Sequence, residues 1–118
     1  MEGKLRDIAA DIFRELGPGY SERVYHNAFE VLLRTNGIQY ETERIVPIEF
    51  RNHVIGNVRA DLIVNNSIVV ELKSAKSLNQ SMRTQLLNYL KLTGYKSGIL
   101  VNFPLPPAQE CECEVCVL

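Results

Sequence analysis

No stretch of the 118-residue sequence is apolar for long enough to cross a lipid bilayer, which excludes an ordinary transmembrane helix. The N-terminal residues 1–13 combine acidic side chains with helical periodicity, where an export signal would have basic and then apolar residues. Cysteine is also scarce: Cys111, Cys113 and Cys116 are an odd number near the C-terminus and fit no disulfide framework. We therefore expect an intracellular protein in a reducing compartment.

Acidic residues are absent from residues 72–109, although the whole chain has 14 acidic and 13 basic residues and a formal charge of −1. That segment carries +5, and the remaining residues, with 8 basic and 14 acidic side chains, carry −6. Its basic residues are Lys73, Lys76, Arg83, Lys91 and Lys96. Such a segment can attract a polyanion such as nucleic acid. An ordinary solvated helix face is an equally open interpretation.

The length and composition predict a single domain that spans residues 1–118. Hydrophobic residues make up 46% and charged residues 23% of the chain, as in soluble globular proteins. The periodicity predicts helices and strands in the order ααβββαββ, an α/β or α+β domain with a central mixed sheet flanked by helices. The helices are expected at residues 5–16, 21–37 and 77–94, and the strands at residues 38–50, 53–64, 68–73, 97–103 and 111–118.

Several residues mark the expected ends of these elements. Ser21 is the expected N-cap of the second helix, and Gly37 its end. Ser77 is the expected N-cap of the third helix, with Gln80 three residues later as in a capping box. Pro47 suggests that the first strand lies at a sheet edge or contains a bulge.

The third predicted strand, IVVELK, has two charges at alternate positions. Glu71 and Lys73 therefore share one face of the strand with Val69. If residues 65–67 form the turn from the preceding strand, Asp61 lies directly opposite Glu71. The apolar sets favour this register: Ala60, Leu62 and Val64 on one strand face Ile68, Val70 and Leu72 on the other.

Two carboxylates this close resist joint ionisation unless a cation lies between them. Mg²⁺ prefers hard oxygen ligands, so Asp61, Glu71 and the backbone carbonyl of Leu72 form a candidate metal site. Lys73 beside it could orient a nucleophile and offset charge that grows on a phosphorus centre. These residue types suit phosphodiester hydrolysis. A salt-bridged surface cluster is the alternative.

The pattern formed by Asp61 and Glu71-Leu72-Lys73 resembles the core motif of the PD-(D/E)XK nuclease superfamily. The segment Gly19–Tyr25, GYSERVY, resembles the pattern that names the GxxExxY protein family within it. The strings RADLIV, IVVELK, and QLLNYLKLTG followed by GILVNF resemble the same family. Together these matches cover residues 8–104 in the family's order.

The resemblance implies a restriction-endonuclease-like core and a Mg²⁺ or Mn²⁺ cofactor. It makes Asp61 and Glu71 metal ligands and Lys73 the catalytic lysine. It also implies that Glu22 contributes to the site, as a possible metal ligand through water, and that Gln85 contacts the substrate or supports the metal site. Tyr25 and Tyr89 are expected to pack and hydrogen bond behind the site rather than to react.

The sequence departs from the family picture in three places. Ala60 stands where a proline is expected before the motif aspartate. Residues 78–83, LNQSMR, lack the acidic and histidine residues of many relatives, which leaves the rim of the site more basic. The C-terminal cysteines resemble those of nucleases with an iron–sulfur cluster, but such clusters usually take four thiolates, and Cys116 faces away from Cys111 and Cys113. We therefore expect these cysteines to pack as small hydrophobic residues.

The leading hypothesis is a Mg²⁺-dependent nuclease that hydrolyses phosphodiester bonds of DNA. A domain of this size has little surface with which to grip a duplex, so we expect a homodimer or a partner chain. The alternative is a nuclease-derived nucleic-acid-binding or structural module with weak or no catalysis, since a fold that has the right residues need not be active.

Overall fold

The computed structural model describes residues 1–118, and its elements follow the predicted order ααβββαββ. The helices are α1 (Glu2–Leu16), α2 (Glu22–Thr35) and α3 (Gln80–Thr93). The strands are β1 (Tyr40–Phe50), β2 (His53–Val64), β3 (Ile68–Lys73), β4 (Ser97–Asn102) and β5 (Glu112–Val117). None of the three helices combines the length and the apolar character that crossing a membrane requires.

The five strands form one mixed sheet in the order β1-β2-β3-β4-β5. β3 and β4 are parallel, and the other neighbouring strands are antiparallel. A parallel pair needs a crossover connection, which α3 provides. The predicted α+β fold with a mixed sheet is confirmed. Pro47 lies on the edge strand β1, where a missing N–H group is tolerated.

Asparagine and arginine residues in the left-handed conformation form the turns of the two hairpins. Arg51 and Asn52, between β1 and β2, have φ angles of 49° and 68°. Asn65 and Asn66, between β2 and β3, both have φ angles of 51°. Positive φ at consecutive residues matches the twist of antiparallel strands, and asparagine tolerates it better than most residues. Both predicted turns are confirmed.

The beginnings of α2 and α3 depend on side-chain caps. Ser21 accepts a hydrogen bond from the Val24 N–H at 3.4 Å, as predicted. The predicted Ser77 cap of α3 is wrong: the N-cap is Asn79, whose Oδ1 accepts from the Met82 N–H at 3.0 Å. Asparagine is at least as good an N-cap as serine. The chain uses residues 74–78 to leave the end of β3 before α3 starts.

The sheet has a hydrophobic core on each face. α1 and α2 cover one face, where Leu62, Val64, Ile68, Val70 and Leu72 are buried. α3 covers the other face, where Ile63, Val69 and Leu100 are buried. The predicted alternation along β3 is confirmed. The cysteines also divide as predicted, because Cys111 and Cys113 pack against the first core and Cys116 belongs to the second.

The predicted alternation along β2 fails at Ala60. Ala60 belongs to the core under α3, whereas Leu62 belongs to the core under α1 and α2. This change of face occurs beside Asp61. The hydrogen-bonded ladder of β1 and β2 includes Leu62 and Ala60 but has no pair at Asp61. The skipped residue of β1, Glu43, has a φ angle of 53°, so the backbone of the strand pair is irregular here. Hydrophobic alternation alone does not reveal such an irregularity.

Asn102 holds the chain that follows β3. Its side chain is fully buried, and its Oδ1 accepts from the Ala75 N–H at 2.9 Å. Its Nδ2 donates to the Ala75 carbonyl at 3.0 Å and to Glu112 Oε1 at 2.8 Å. The Asn102→Ala substitution leaves these partly buried groups without their partner, so we expect the free energy of unfolding to fall by about 2–3 kcal/mol. Urea unfolding will measure this change.

The matched control for that substitution is Asn27→Ala on α2. Asn27 is exposed, so its replacement should change the free energy of unfolding by about 0.5 kcal/mol or less. Equal stability changes in the two variants would contradict the role assigned to Asn102.

Candidate active site

The segment between α1 and α2 determines where α2 begins and therefore where Glu22 lies. Gly17 has a φ angle of 74°, which favours glycine. The hydroxyl group of the buried Tyr25 donates to the Gly17 carbonyl at 2.7 Å and accepts from the Tyr20 N–H at 3.3 Å. The Tyr25 ring stacks on Phe103, with centroids 4.3 Å apart. Tyr25 thus packs and hydrogen bonds as expected, one turn after Glu22.

β2 and β3 separate next to Asp61. Their ladder keeps the predicted register as far as the pair Leu62 and Val70. Beyond that pair, Asp61 Oδ2 accepts a hydrogen bond from the Leu72 N–H at 2.7 Å, so a carboxylate replaces the backbone acceptor. The N–H and C=O of one strand residue point toward the same neighbouring strand. The Leu72 carbonyl is therefore also on the side of Asp61.

Glu71 is a partly buried carboxylate that interacts with Asp61. Its pKa is raised to about 8, first by burial and second by the negative charge of Asp61, whereas the Lys73 ammonium lowers it. The two carboxylates therefore resist joint ionisation, as the sequence predicted. β3 pairs with the buried strand β4 at both Glu71 and Lys73, which fixes the backbone of the pair.

A cavity of about 350 Å³, which we call the active-site cavity, brings together residues from α2, β2, β3 and α3. All five predicted catalytic residues line it: Glu22, Asp61, Glu71, Lys73 and Gln85. The other lining residues are Asn57, Val58, Arg59, Asn88 and Tyr89. A larger, open cavity of about 720 Å³ lies between α1 and residues 107–111 and contains none of the five.

α3 contributes Gln85 and Tyr89, one helical turn apart, to the wall of this cavity. Tyr89 is buried, and burial raises the pKa of its hydroxyl group. The hydroxyl oxygen has no hydrogen-bond partner within the chain, so only the expected packing of Tyr89 is observed. Buried polar groups are usually hydrogen-bonded, and this hydroxyl oxygen, which has almost no accessible surface, is an exception.

The sequence prediction missed Arg59 and Asn88 as members of this wall. Arg59 Nη2 lies 3.6 Å from Asp61 Oδ1. The sequence signal for Arg59 was its position two residues before Asp61, because alternate residues of a strand share a face. Asn88 lies one helical turn after Gln85, but helical spacing does not tell which polar residues of a helix face a cavity.

The sequence of residues 1–113 matches the sequence model of the PD-(D/E)XK nuclease superfamily. The chain belongs to this superfamily. Among solved structures, the crystal structure of SSO0001 is 28% identical, with a TM-score of 0.61, over 81% of this chain and 50% of that one. An alkaline exonuclease from Laribacter hongkongensis, LHK-Exo, is 12% identical, with a TM-score of 0.46, over 80% of this chain and 55% of that one.

This superfamily member spans about half the length of each of these two solved structures. No match is found among curated proteins. The fold shared with the SSO0001 structure agrees with the predicted restriction-endonuclease-like core.

The residues of the active-site cavity fit the divalent cation that this superfamily implies. Asp61 and Glu71 line this cavity and offer the hard oxygen ligands that Mg²⁺ and Mn²⁺ prefer. The Leu72 carbonyl, on the side of Asp61, is a third oxygen at the border with the neighbouring cavity. The raised pKa of Glu71 reflects a burial and charge penalty that a bound cation would offset. The donor set is incomplete for six-coordinate Mg²⁺, which usually keeps several water molecules.

Proposed function

We propose that this protein is a metal-dependent nuclease that hydrolyses phosphodiester bonds of DNA. The observation that supports it best is the convergence of Asp61, Glu71 and Lys73 at one cavity in a chain of the PD-(D/E)XK nuclease superfamily. In this proposal Asp61, Glu71 and the Leu72 carbonyl hold Mg²⁺ or Mn²⁺, and Glu22 assists through a water molecule. We retain the GxxExxY family as its proposed subgroup.

Each residue has a task that follows from its chemistry. The bound cation would lower the pKa of a water molecule and offset negative charge on the phosphate. Lys73 orients the attacking water and stabilises charge that develops on the phosphate oxygens, because its ammonium group donates hydrogen bonds and carries a full charge. Gln85 contacts the substrate, as an amide that can both donate and accept.

Nucleic acid is the proposed class of substrate, with DNA as its expected member, because a basic segment supplies part of the cavity wall. Residues 72–109 carry +5 and include both Lys73 of β3 and the whole of α3. Lysine and arginine neutralise backbone phosphates without regard to sequence. The three unpaired cysteines suit the reducing intracellular location that we also propose.

The test is cleavage of labelled single-stranded DNA, double-stranded DNA and RNA with Mg²⁺, with Mn²⁺ and with excess EDTA. We expect cleavage of DNA with either metal and none with EDTA. Binding of DNA without cleavage under every condition would favour the alternative, a nuclease-derived binding module. A calorimetric titration with Mn²⁺ distinguishes a module that still binds metal from one that has lost its metal site.

We propose a homodimer, because the outer half of the β1–β2 hairpin exposes large apolar residues. Ile45, Phe50, Val54 and Ile55 are each 59–66% exposed. An apolar surface of this kind marks protein interfaces, and a second copy would extend the short groove of one chain.

The homodimer can be tested by sedimentation velocity over a range of concentrations. We expect Ile55→Lys to shift the wild-type dimer toward monomer by at least tenfold in dissociation constant. Leu92→Lys, at an exposed apolar position on α3, is the control and should leave the dimer unchanged. A wild-type protein that sediments as a monomer at every concentration would exclude the dimer.

A further inference from the structure

A second cavity, of about 190 Å³, adjoins the active-site cavity beside α2. We call it the arginine cavity. Three residues line both cavities: Glu22, Arg59 and Asp61. The other residues of the arginine cavity are Arg23, His26 and Leu72. A strand bound across Asp61 would therefore meet a second recess on the far side of Asp61 from Glu71, bordered by Asp61 and Leu72.

Arg59 is the one basic residue that lines both cavities. Its side chain is 52% exposed, and its Nη2 lies 3.6 Å from Asp61 Oδ1. This separation is too long for a good hydrogen bond, so the guanidinium retains unused donors. A cation bound by Asp61 would compete with Arg59 for that carboxylate. The guanidinium would then be able to pair with another anion.

Two further basic side chains reach the arginine cavity. Arg23 forms an ion pair with Glu43, and its side chain remains 53% exposed. His26 is buried, and its Nε2 has no hydrogen-bond partner, although it lies 2.9 Å from Glu30 Oε2 in an unsuitable orientation. Arginine donors match the geometry of phosphate oxygens and bind them in pairs. Arg59 and the exposed part of Arg23 supply these donors, whereas His26 Nε2 is buried beside Glu30 and does not reach a ligand. A cavity of this size suits one phosphate group.

We propose that the arginine cavity is a phosphate subsite that holds the phosphodiester group next to the reacting one, with Arg59 as its main contact. This inference rests on the proposed nuclease function and adds the path of the substrate: the strand runs from α3, across Asp61, to the first turns of α2. Contacts to backbone phosphates position a nucleic acid without reading its sequence. The subsite therefore adds affinity equally for all sequences.

Fluorescence anisotropy with a labelled DNA oligonucleotide tests the subsite, with Ca²⁺ in place of Mg²⁺ to prevent cleavage. We expect Arg59→Gln to weaken binding by about 10- to 100-fold, because a charge-assisted contact to phosphate is lost. The slope of log affinity against log salt should become shallower by about one. Arg14→Gln, at an exposed position on α1, is the matched control and should change affinity less than about threefold.

A titration of the metal separates a phosphate contact from an indirect effect through Asp61. Arg59→Gln removes a cation that lies 3.6 Å from Asp61, so Mn²⁺ affinity should stay equal or increase. If the affinities for Mn²⁺ and for DNA fall together, Arg59 acts through the metal site and the phosphate subsite is wrong.

Neutral methylphosphonate groups, placed one at a time in the oligonucleotide, identify the phosphate that Arg59 contacts. We expect the wild type to lose affinity at the position next to the cleaved bond, and Arg59→Gln to lose none there. Equal sensitivity of both proteins at every position, or an effect confined to a terminal phosphate, would overturn the subsite. If the wild type binds no oligonucleotide at all, both the proposed nuclease function and the subsite are wrong. If Arg59→Gln binds the oligonucleotide as tightly as the wild type does, only the subsite is wrong.

Discussion

The Asp61→Asn substitution is expected to lower the rate of DNA cleavage by about a thousandfold or more. It removes one of the two negative charges that are proposed to hold the cation, and catalysis loses the electrostatic stabilisation that depends on this cation. Asparagine keeps a side-chain oxygen that can accept the hydrogen bond from the Leu72 N–H, which now measures 2.7 Å. The junction of β2 and β3 should therefore persist, and thermal unfolding will check this.

The Lys73→Met substitution is measured in the same cleavage assay. It keeps the aliphatic part of the side chain and removes only the ammonium group. We expect a loss of at least a hundredfold in cleavage rate with little change in Mn²⁺ affinity, whereas Asp61→Asn should lose both. Asp7→Asn and Lys4→Met on α1 remove the same charges at exposed positions and should cleave at the wild-type rate. Wild-type rates in all four variants would mean that a contaminant or another site is responsible.

The strand register beside Asp61 was predictable because hydrophobic alternation and turn residues agree there. Residues 68–72 alternate between the two faces, and a one-residue slip would bury the charges of β3. Asparagines 65 and 66 accept the positive φ angles that the hairpin requires. Two local rules therefore fix the pairs as far as Leu62 and Val70. The predicted pair of Asp61 and Glu71 does not form in the ladder, because the Asp61 carboxylate accepts from the Leu72 N–H instead.

The missed features depend on how elements meet rather than on local pattern. The cap of α3 moves from Ser77 to Asn79 because the chain must first leave the end of β3 and pass Asn102. The face of Ala60 changes beside Asp61, where the ladder of β1 and β2 has no pair and Glu43 of β1 has a φ angle of 53°. The arginine cavity requires α2 to lie beside β2, a contact between residues about forty positions apart. No periodicity within one segment contains that information.

The Glu71→Gln substitution is expected to stabilise the protein when no metal is bound. The pKa of Glu71 is raised from 4.5 to about 8 in the folded state, chiefly by burial and then by the charge of Asp61. Because the folded pKa is above the unfolded one, ionisation favours the unfolded state. The free energy of unfolding of the metal-free wild type should therefore decline as pH rises from about 4.5 to about 8.

Glutamine imitates the neutral form of Glu71, since its amide can donate to Asp61 as the protonated carboxyl group does. The variant should lack this decline and be more stable than the wild type at pH 8 in EDTA by about 2–4 kcal/mol, given that one pKa unit corresponds to about 1.4 kcal/mol. The difference should vanish near pH 4, where Glu71 is protonated in both states. Urea unfolding across this pH range measures it.

Divalent metal should reverse the order of stability at pH 8. A cation that binds the folded state alone stabilises it according to its concentration and affinity, and the wild type has the charge that the variant lacks. Adding Mn²⁺ should therefore raise the unfolding midpoint of the wild type much more than that of Glu71→Gln. Glu15→Gln, at an exposed position on α1, should behave like the wild type in both conditions. A Glu71→Gln protein that is less stable than the wild type in EDTA at pH 8 would show that Glu71 stabilises the fold instead of straining it for metal binding.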